Sequence, residues 1–313
     1  MPETEAATRP RISVVIPHYN DEAALAADLS ALEAQRGDGV SFEVIVVDNG
    51  SARLPDAVCD RFPGVRLLSE TTPGPGPARN RGAGQARGEI LAFVDSDCCP
   101  DPGWILAIDR AFADPATQII GGDVCIAPAD PGRMTVVEAY ESVFSYRIRL
   151  YIERDSYTGT GNMALRPEIF AAVGPFAGIG VAEDMDWGRR ATALGFRHTY
   201  VPEMRVRTPA RRDFAELARK WDRHIAHFYA ENRARRISPA SAQLRWLART
   251  AMVAASPLGE VLTVARSDRV ARLGDRGRAL AGVTRLRLYR AGRMLSLGLG
   301  ADPARLAGGW RDD

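Results

Sequence analysis

The apolar positions of the chain fall into two rhythms. Short runs rich in Val, Ile and Leu occur at ISVVIP (12–17), FEVIVVD (42–48), VRLLS (65–69) and ILAFV (90–94). Between them lie DEAALAADLSALEAQ (21–35), LPDAVCDRF (54–62) and PARNRGAGQARG (77–88), which read as helices. Runs of the first kind have the length and β-branched content of buried strands. Strands alternating with helices predict a parallel, doubly wound sheet. Ligands of such sheets sit beyond the carboxyl ends of the strands. Those ends here carry His18-Tyr19-Asn20, Asp48-Asn49-Gly50-Ser51, Glu70 and Asp95-Ser96-Asp97, polar clusters that would meet at one edge.

The second half is less regular. IIGGDVCI (119–126) predicts a strand, VVEAYESVFSYRIRLYIER (136–154) one helix, and TGTGNMALRPEIFAAVGPF (158–176) a loop, a short strand and a helix begun at Pro167. AEDMDWGRRATALG (182–195) predicts a helix with acids in its first turn and Gly195 at its end. Asp213 and Glu216 stand in the spacing of a cap before a helix with Phe214, Leu217, Trp221, Ile225 and Phe228 on one face. From Pro239 onward the pattern is Arg-rich amphipathic helix broken by Pro and Gly.

With 313 residues and 46% hydrophobic content, the chain has globular composition. The expected organisation is a flexible tail over 1–10, an α/β domain over 11–210 made of halves 11–125 and 126–210, and a basic helical extension over 211–313. The first ten residues hold two acids and no apolar core, unlike a signal peptide or anchor. Four cysteines without paired spacing predict a reduced, cytoplasmic protein. The net charge of +2 hides an asymmetry: residues 1–204 hold 18 Lys+Arg against 29 Asp+Glu, and residues 205–313 hold 23 against 10. A basic tail of this kind suits anionic lipid, nucleic acid or a phosphorylated substrate, and equally a solvated helical surface.

Asp95 and Asp97 point to the same side of an extended segment and can face one object together. Two carboxylates so placed can hold a hard divalent cation through oxygen; they can also be solvated acids of a turn-rich segment.

The ordered set VVIPHYN, VDNGS, GPARNRGAGQARGEILAFVDSDCCP, GTGNMALRPEIFAAVGPF and AEDMDWGRRATALG, over roughly residues 11–205, resembles the inverting family 2 glycosyltransferases of the GT-A fold. The resemblance implies a Rossmann-like, mostly parallel α/β sheet flanked by helices. It implies a nucleotide-sugar site made by Pro17, Tyr19, Glu22, Asp48, Arg79, Asp95, Ser96, Asp97, Gly161 and Asn162, with Asp48 accepting from a nucleobase N–H. Asp97, with Asp95, would hold Mn2+ or Mg2+ on the diphosphate, and Asp184 beside Glu183 would be the general base. Trp187 and Arg190 would line the acceptor side. The implied reaction moves a sugar, commonly from a UDP donor, to a hydroxyl of a glycan, lipid-linked or small-molecule acceptor.

One departure stands out. Many members carry a metal-ligating histidine after the last strand; here Arg207 stands about there, and arginine cannot ligate a cation. Either water and diphosphate complete the metal's shell or Arg207 neutralises the phosphates. A nucleotidyltransferase would want a Gly-rich loop with a Lys after the first strand, and IPHYNDEA offers neither. The remaining alternative is a non-catalytic nucleotide-sugar-binding or interaction protein on the same fold. No nucleic-acid partner is implied. The tail stretch VARLGDRGRALAGVTRLRLYRAGRMLSLGLG (270–300) interleaves Arg with apolar residues. It predicts an amphipathic helix for an anionic membrane surface, a lid on the catalytic domain or a homo-oligomer interface.

Overall fold

A computed structural model of the protein describes residues 9–179, 182–234 and 238–303. Most of the expected tail over 1–10 lies outside the described residues. The chain forms two compact units, one from residues up to Cys125 with Tyr146–Thr208, the other from Ile126–Ser145 and residues from Pro209 onward. The segment 126–145 therefore groups with the C-terminal helices and not with 146–208 as the sequence reading had it.

Eight strands make one sheet: β1 (Ile12–His18), β2 (Phe42–Asp48), β3 (Val65–Ser69), β4 (Ile90–Val94), β5 (Cys99–Pro100), β6 (Ile119–Ala127), β7 (Asn162–Leu165) and β8 (His198–Pro209), in the order β3-β2-β1-β4-β7-β6-β8-β5. The helices, in chain order, are α1 (Glu22–Glu33), α2 (Asp56–Cys59), α3 (Pro75–Ala83), α4 (Trp104–Ala111), α5 (Val136–Phe144), α6 (Ile148–Leu150), α7 (Pro167–Val173), α8 (Glu183–Ala193), α9 (Phe214–Ala234), α10 (Pro239–Ala255), α11 (Glu260–Arg266) and α12 (Leu273–Gly298).

The first four strands are parallel, as their helical crossovers require, with Ile12 opposite Phe42 and His18 opposite Asp48. β7 then runs antiparallel to both β4 and β6, so the sheet is mixed beyond β4. β1, β2 and β4 are buried along their whole length, and alternate residues feed two cores. Ile12, Val14 and Ile16 pack with Leu25 and Leu29 of α1 and Trp104 of α4. Val15, Ile45, Val47 and Phe93 pack with Ala78 of α3, Ile169 of α7 and Trp187 of α8. Helix α3 lies so close to the sheet that a Cβ at Gly82 would stand 2.4 Å from Val15 Cγ1. That approach brings Arg79, one turn earlier on the same helix, to the edge of β4.

At the opposite end of the strands, buried Glu43 accepts from Ser13 Oγ (2.7 Å), the Arg87 backbone N–H (2.8 Å) and Arg66 Nη1 (3.0 Å). Burial alone would raise the Glu43 pKa, but the bonds from Ser13, Arg87 and Arg66 outweigh it and hold the pKa below the usual value.

In the second unit the single helix expected over 136–154 is broken. α5 ends at Phe144, Ser145 closes its last turn onto Glu141, and Tyr146 takes a left-handed φ of 48°. Apolar periodicity continues through the break and so could not reveal it. α12 shows the reverse: it runs unbroken through Gly274, Gly277, Gly282 and Gly292. Its face of Ala279, Val283, Leu286, Met294 and Leu297 is buried against α5, α9, α10 and α11. A Cβ at Gly282 would meet Tyr140 Cβ at 2.7 Å, so glycine sets how closely α12 and α5 approach. The apolar side expected to lie in a membrane is thus the internal face of this unit's central helix. Among the described residues no helix is long and apolar enough to cross a membrane.

Glu43 carries a pH signature. Its folded pKa is depressed, so its contribution is present above the unfolded glutamate value of about 4.3 and is lost as pH falls through the lower folded value. Glu43→Gln is expected to cost about 1–3 kcal/mol at pH 7 in urea unfolding, with the gap to the parent protein closing below pH of about 4.

Candidate active site

The carboxyl ends of β1, β2 and β4 meet where the strand order reverses about β1, the switch point at which open α/β sheets leave a crevice. Loops there are tied to one another by side chains. Asn20, at φ 54°, accepts from the Ala52 backbone (2.8 Å), and its own N–H donates to Ser51 Oγ (2.9 Å). Asn49 donates to the carbonyls of Glu70 (3.1 Å) and Thr72 (2.8 Å) and accepts from Gly74 N–H (2.6 Å). Asp48 uses one carboxylate oxygen, Oδ2, to accept from Gly50 and Ser51 N–H, both at 3.1 Å. Its other oxygen, Oδ1, is buried without a hydrogen-bond partner. A buried acceptor left open in this way is costly unless a ligand donor meets it. Tyr19 is exposed beside this point, and Pro17 is buried within β1. Glu22, expected in the same loop, is held by Arg53 at 2.9–3.1 Å.

At the end of β4 the acids converge. Arg79 is buried; its Nη2 donates to Asp95 Oδ1 in a short contact, and its Nη1 to Glu183 Oε1 at 3.1 Å. One guanidinium therefore joins the acid pair after β4 to the acid pair that opens α8. The Gly161 carbonyl accepts from Asp95 N–H (3.3 Å), and a Cβ at 161 would lie 2.6 Å from Asp95 Oδ2; only glycine fits against that carboxylate. Ser96 is half-buried between the two aspartates. Desolvation by its surroundings, and then the Asp95 charge, raise the Asp97 pKa, although the side chain stays open to solvent. Burial, and then Glu183, raise that of Asp184, whose Oδ1 accepts from Met185 N–H at 2.7 Å. Among the described residues no cation is hydrogen-bonded to Asp184, whereas Glu183 is committed to Arg79.

Asp95, Asp97 and Cys98 can each bring a ligand atom within 4.8 Å of the others. The Cys98 thiol is buried, which pushes its pKa well up, and it donates to Asp97 Oδ1 at 3.5 Å. The ionised donors are thus the two carboxylates, a hard oxygen set suited to Mn2+ or Mg2+. Carboxylates crowded together with no cation but Arg79 on one of them fit such an ion.

Three expected site residues are used elsewhere. Asn162 is buried; it accepts from Trp104 Nε1 (2.9 Å) and donates to the Asp123 (2.9 Å) and Met204 (2.8 Å) carbonyls, tying β7 to its neighbours. Trp187, expected on the acceptor side, is a core residue, stacked near Phe170 and Phe176 with its Nε1 on the Gly174 carbonyl (2.9 Å). Arg190 clamps α8 to the turn after α7 through the Val173 (2.6 Å) and Pro175 (2.7 Å) carbonyls, and bonds Asp186 (3.0 Å). Each has a fully polar or aromatic local role that a sequence pattern does not display. Arg207 is gripped by Asp101 (2.6 and 3.0 Å), across the pairing that sets it opposite Cys99.

Two buried residues were not among the expected site residues. His18 closes β1 fully buried, with both ring nitrogens unpartnered and its pKa lowered by burial. Asp28 is buried on α1, and burial, then Asp97 and Asp95, raise its pKa to about 8. Its signal was present: it falls on the apolar face defined by Leu25, Leu29 and Leu32.

Comparison with known proteins places this geometry. The sequence profile of glycosyl transferase family 2 matches residues 13–182. Glycosyltransferase AglE of Haloferax volcanii is 31% identical over 219 residues, which span 68% of this chain and 71% of that protein. Among solved structures, the mannosyltransferase PcManGT of Pyrobaculum calidifontis, in complex with GDP-Man and Mn2+, covers 94% of this chain and 88% of its own at a TM-score of 0.57 and 18% identity. Staphylococcus aureus TarS 1–349, in complex with UDP-GlcNAc, covers 97% and 94% at 0.52 and 15%. At such identities the two structures speak for the fold.

The buried Asp28 should make stability depend on pH. Its folded pKa of about 8 lies above the ordinary aspartate value. Between the two, the folded chain keeps a proton that the unfolded chain has released, so stability falls as pH rises. Asp28→Asn should therefore melt higher than the parent protein at pH 8, with the difference shrinking toward pH 4 in a series of thermal melts.

Proposed function

The chain belongs to glycosyl transferase family 2 and has the GT-A fold of a glycosyltransferase, and from that premise we propose an inverting transfer from a nucleoside-diphosphate sugar to an acceptor hydroxyl. The observation that carries the proposal is the Arg79 bridge, which sets the acids after β4 beside the acids that open α8. The donor class is supported by the structural neighbours, one holding GDP-Man and another UDP-GlcNAc. UDP is the proposed nucleotide. The acceptor is proposed to be a glycan, a lipid-linked glycan or a small molecule, met by a cytoplasmic enzyme at a membrane face.

In this reading the nucleobase donates an N–H to the open Asp48 Oδ1, with Tyr19 exposed beside it. Arg79 keeps Asp95 and Glu183 in place, and Gly161 leaves room for the Asp95 carboxylate. Asp97 and Asp95 would hold a divalent cation, which when bound would supply Lewis-acid stabilisation of the departing nucleoside diphosphate. Asp184 accepts the proton of the acceptor hydroxyl as that oxygen bonds to the anomeric carbon and the carbon–phosphate oxygen bond breaks on the other side. Burial raises the Asp184 pKa, which strengthens it as a base. Arg207, neutralised by Asp101, is not asked to serve the phosphates. The intact acid set, together with glycosyltransferase relatives, disfavours a purely binding role.

A thermal-shift panel of UDP, GDP and dTDP, each with and without Mn2+ or Mg2+, tests the donor assignment. The correct nucleotide at a hundred times its Kd stabilises by about 2.7 kcal/mol; absence of any shift across the panel would refute the nucleotide site. Asp97→Ala is expected to keep the fold and lose the metal-dependent part of that shift. Asp184→Asn is expected to keep the shift and to lower turnover by about a hundredfold or more, measured with whichever donor the panel selects. Full activity in that variant would move the base to another acid.

A further inference from the structure

The second unit carries an apolar surface that its own core leaves uncovered. α10 turns Ala242, Trp246, Thr250 and Val253 inward. Its opposite side, continued through the 3-10 turn 256–259 into α11, presents Leu244, Leu247, Met252, Leu258, Val261 and Leu262 to solvent. Four of these are more than half exposed: Leu244 71%, Met252 66%, Leu258 84% and Leu262 62%. With the exposed alanines 248, 251 and 255 between them, the apolar positions recur every three to four residues along the exposed side. Contiguous exposed apolar surface of this length marks an interaction site.

Charge says what kind. Arg245 and Arg249, four apart, lie along one flank of the stripe, while Glu260 is drawn off into an ion pair with Arg287 (3.2 Å). The Arg249 guanidinium lies 4.7 Å from the Phe228 ring centre. Near it is Arg290, which is 7% exposed and packs 3.6 Å from the Trp221 ring centre. Its buried Nε has no hydrogen-bond partner, and among the described residues no carboxylate bonds its guanidinium. Burial, then Arg287, with a smaller part from Arg249, lower its pKa to about 10. An apolar stripe with exposed arginines on its flank matches the interface of a bilayer, where acyl chains and phosphates lie within one side-chain length of each other.

We propose that the α10–α11 face seats the chain on anionic phospholipid, with the leucine stripe at the acyl boundary and Arg245 and Arg249 on lipid phosphates. The surface is distinct from α12, whose apolar side is internal. The proposal rests on the reading that the acceptor is met at a membrane face, but it does not involve the nucleotide site, so the two fail separately.

The test is co-sedimentation of the full chain with phosphatidylglycerol–phosphatidylcholine vesicles and with phosphatidylcholine vesicles, at low and high salt. The parent protein should bind the anionic vesicles and be released by salt. Met252→Asp with Leu258→Asp, at exposed positions, should weaken that binding about tenfold or more while the melting temperature and its nucleotide shift stay unchanged. Arg245→Gln with Arg249→Gln should remove the preference for phosphatidylglycerol. Inorganic phosphate should displace the chain no better than chloride at equal ionic strength; selective displacement would make the arginines a free-phosphate site and overturn the proposal. Equal binding by parent and doubly substituted chains, or no vesicle binding by the parent, would also overturn it. So would sedimentation velocity showing that the Asp substitutions dissociate a dimer while vesicle binding is unaffected, since the stripe would then be a subunit interface.

Discussion

A buried arginine needs partners that cannot leave, and Arg79 organises the catalytic unit on that requirement. Its guanidinium has lost nearly all contact with water. Removing either acid would strand a buried charge, a change that typically costs several kcal/mol. The partners come from distant parts of the chain: Asp95 follows the central strand β4, and Glu183 begins α8. Satisfying the one cation therefore fixes where α8 starts relative to the sheet. Gly82 allows α3 to lie on Val15, and that close packing aims Arg79 at the meeting point. Asp184, the next residue on α8, inherits its position from this arrangement.

The same crowding sets the electrostatics. Asp28, Asp97 and Asp184 all have raised pKa values, with burial the leading cause in each and neighbouring carboxylates adding to it. A surface selected only for stability would disperse these charges. Their concentration at one sheet edge is what the proposed divalent cation would offset. Asp48, with one oxygen saturated by backbone N–H groups and the other buried and open, extends the same logic toward a neutral donor such as a nucleobase. The site is thus held by hydrogen bonds within the chain on one side and left unsatisfied on the other.

In the second unit the physics is that of helix packing. α12 is central because glycine and alanine let α5 approach it, and because Val283, Leu286, Met294 and Leu297 recur on one face. Its arginines do not all reach water: Arg293 pairs with Asp222, and Arg290 stacks on Trp221. Once α12 is enclosed, the apolar residues of α10 and α11 that face away from it are left exposed among the described residues.

The sequence by itself determined the parallel half of the sheet. Apart from Ser13, His18, Glu43 and Asp48, the runs at β1, β2 and β4 are apolar throughout, and strands covered on both faces have that need. It also determined which acids stand at the strand ends, since Asp48, Asp95 and Asp97 follow those runs directly. What it could not determine were the partners of each polar group. Asn162 and Arg190 are equally plausible as ligand-binding or as structural residues until the carbonyls they bond are seen, and those carbonyls belong to other elements. Trp187 lies at a position where a helix could face either core or crevice, and only the neighbouring Phe170 and Phe176 decide for the core. The break after Phe144, the enclosure of α12 and the exposure of α10 were decided by tertiary structure for a common reason. Amphipathic periodicity states that a face must be covered, but the element that covers it is chosen by contacts far away in the chain.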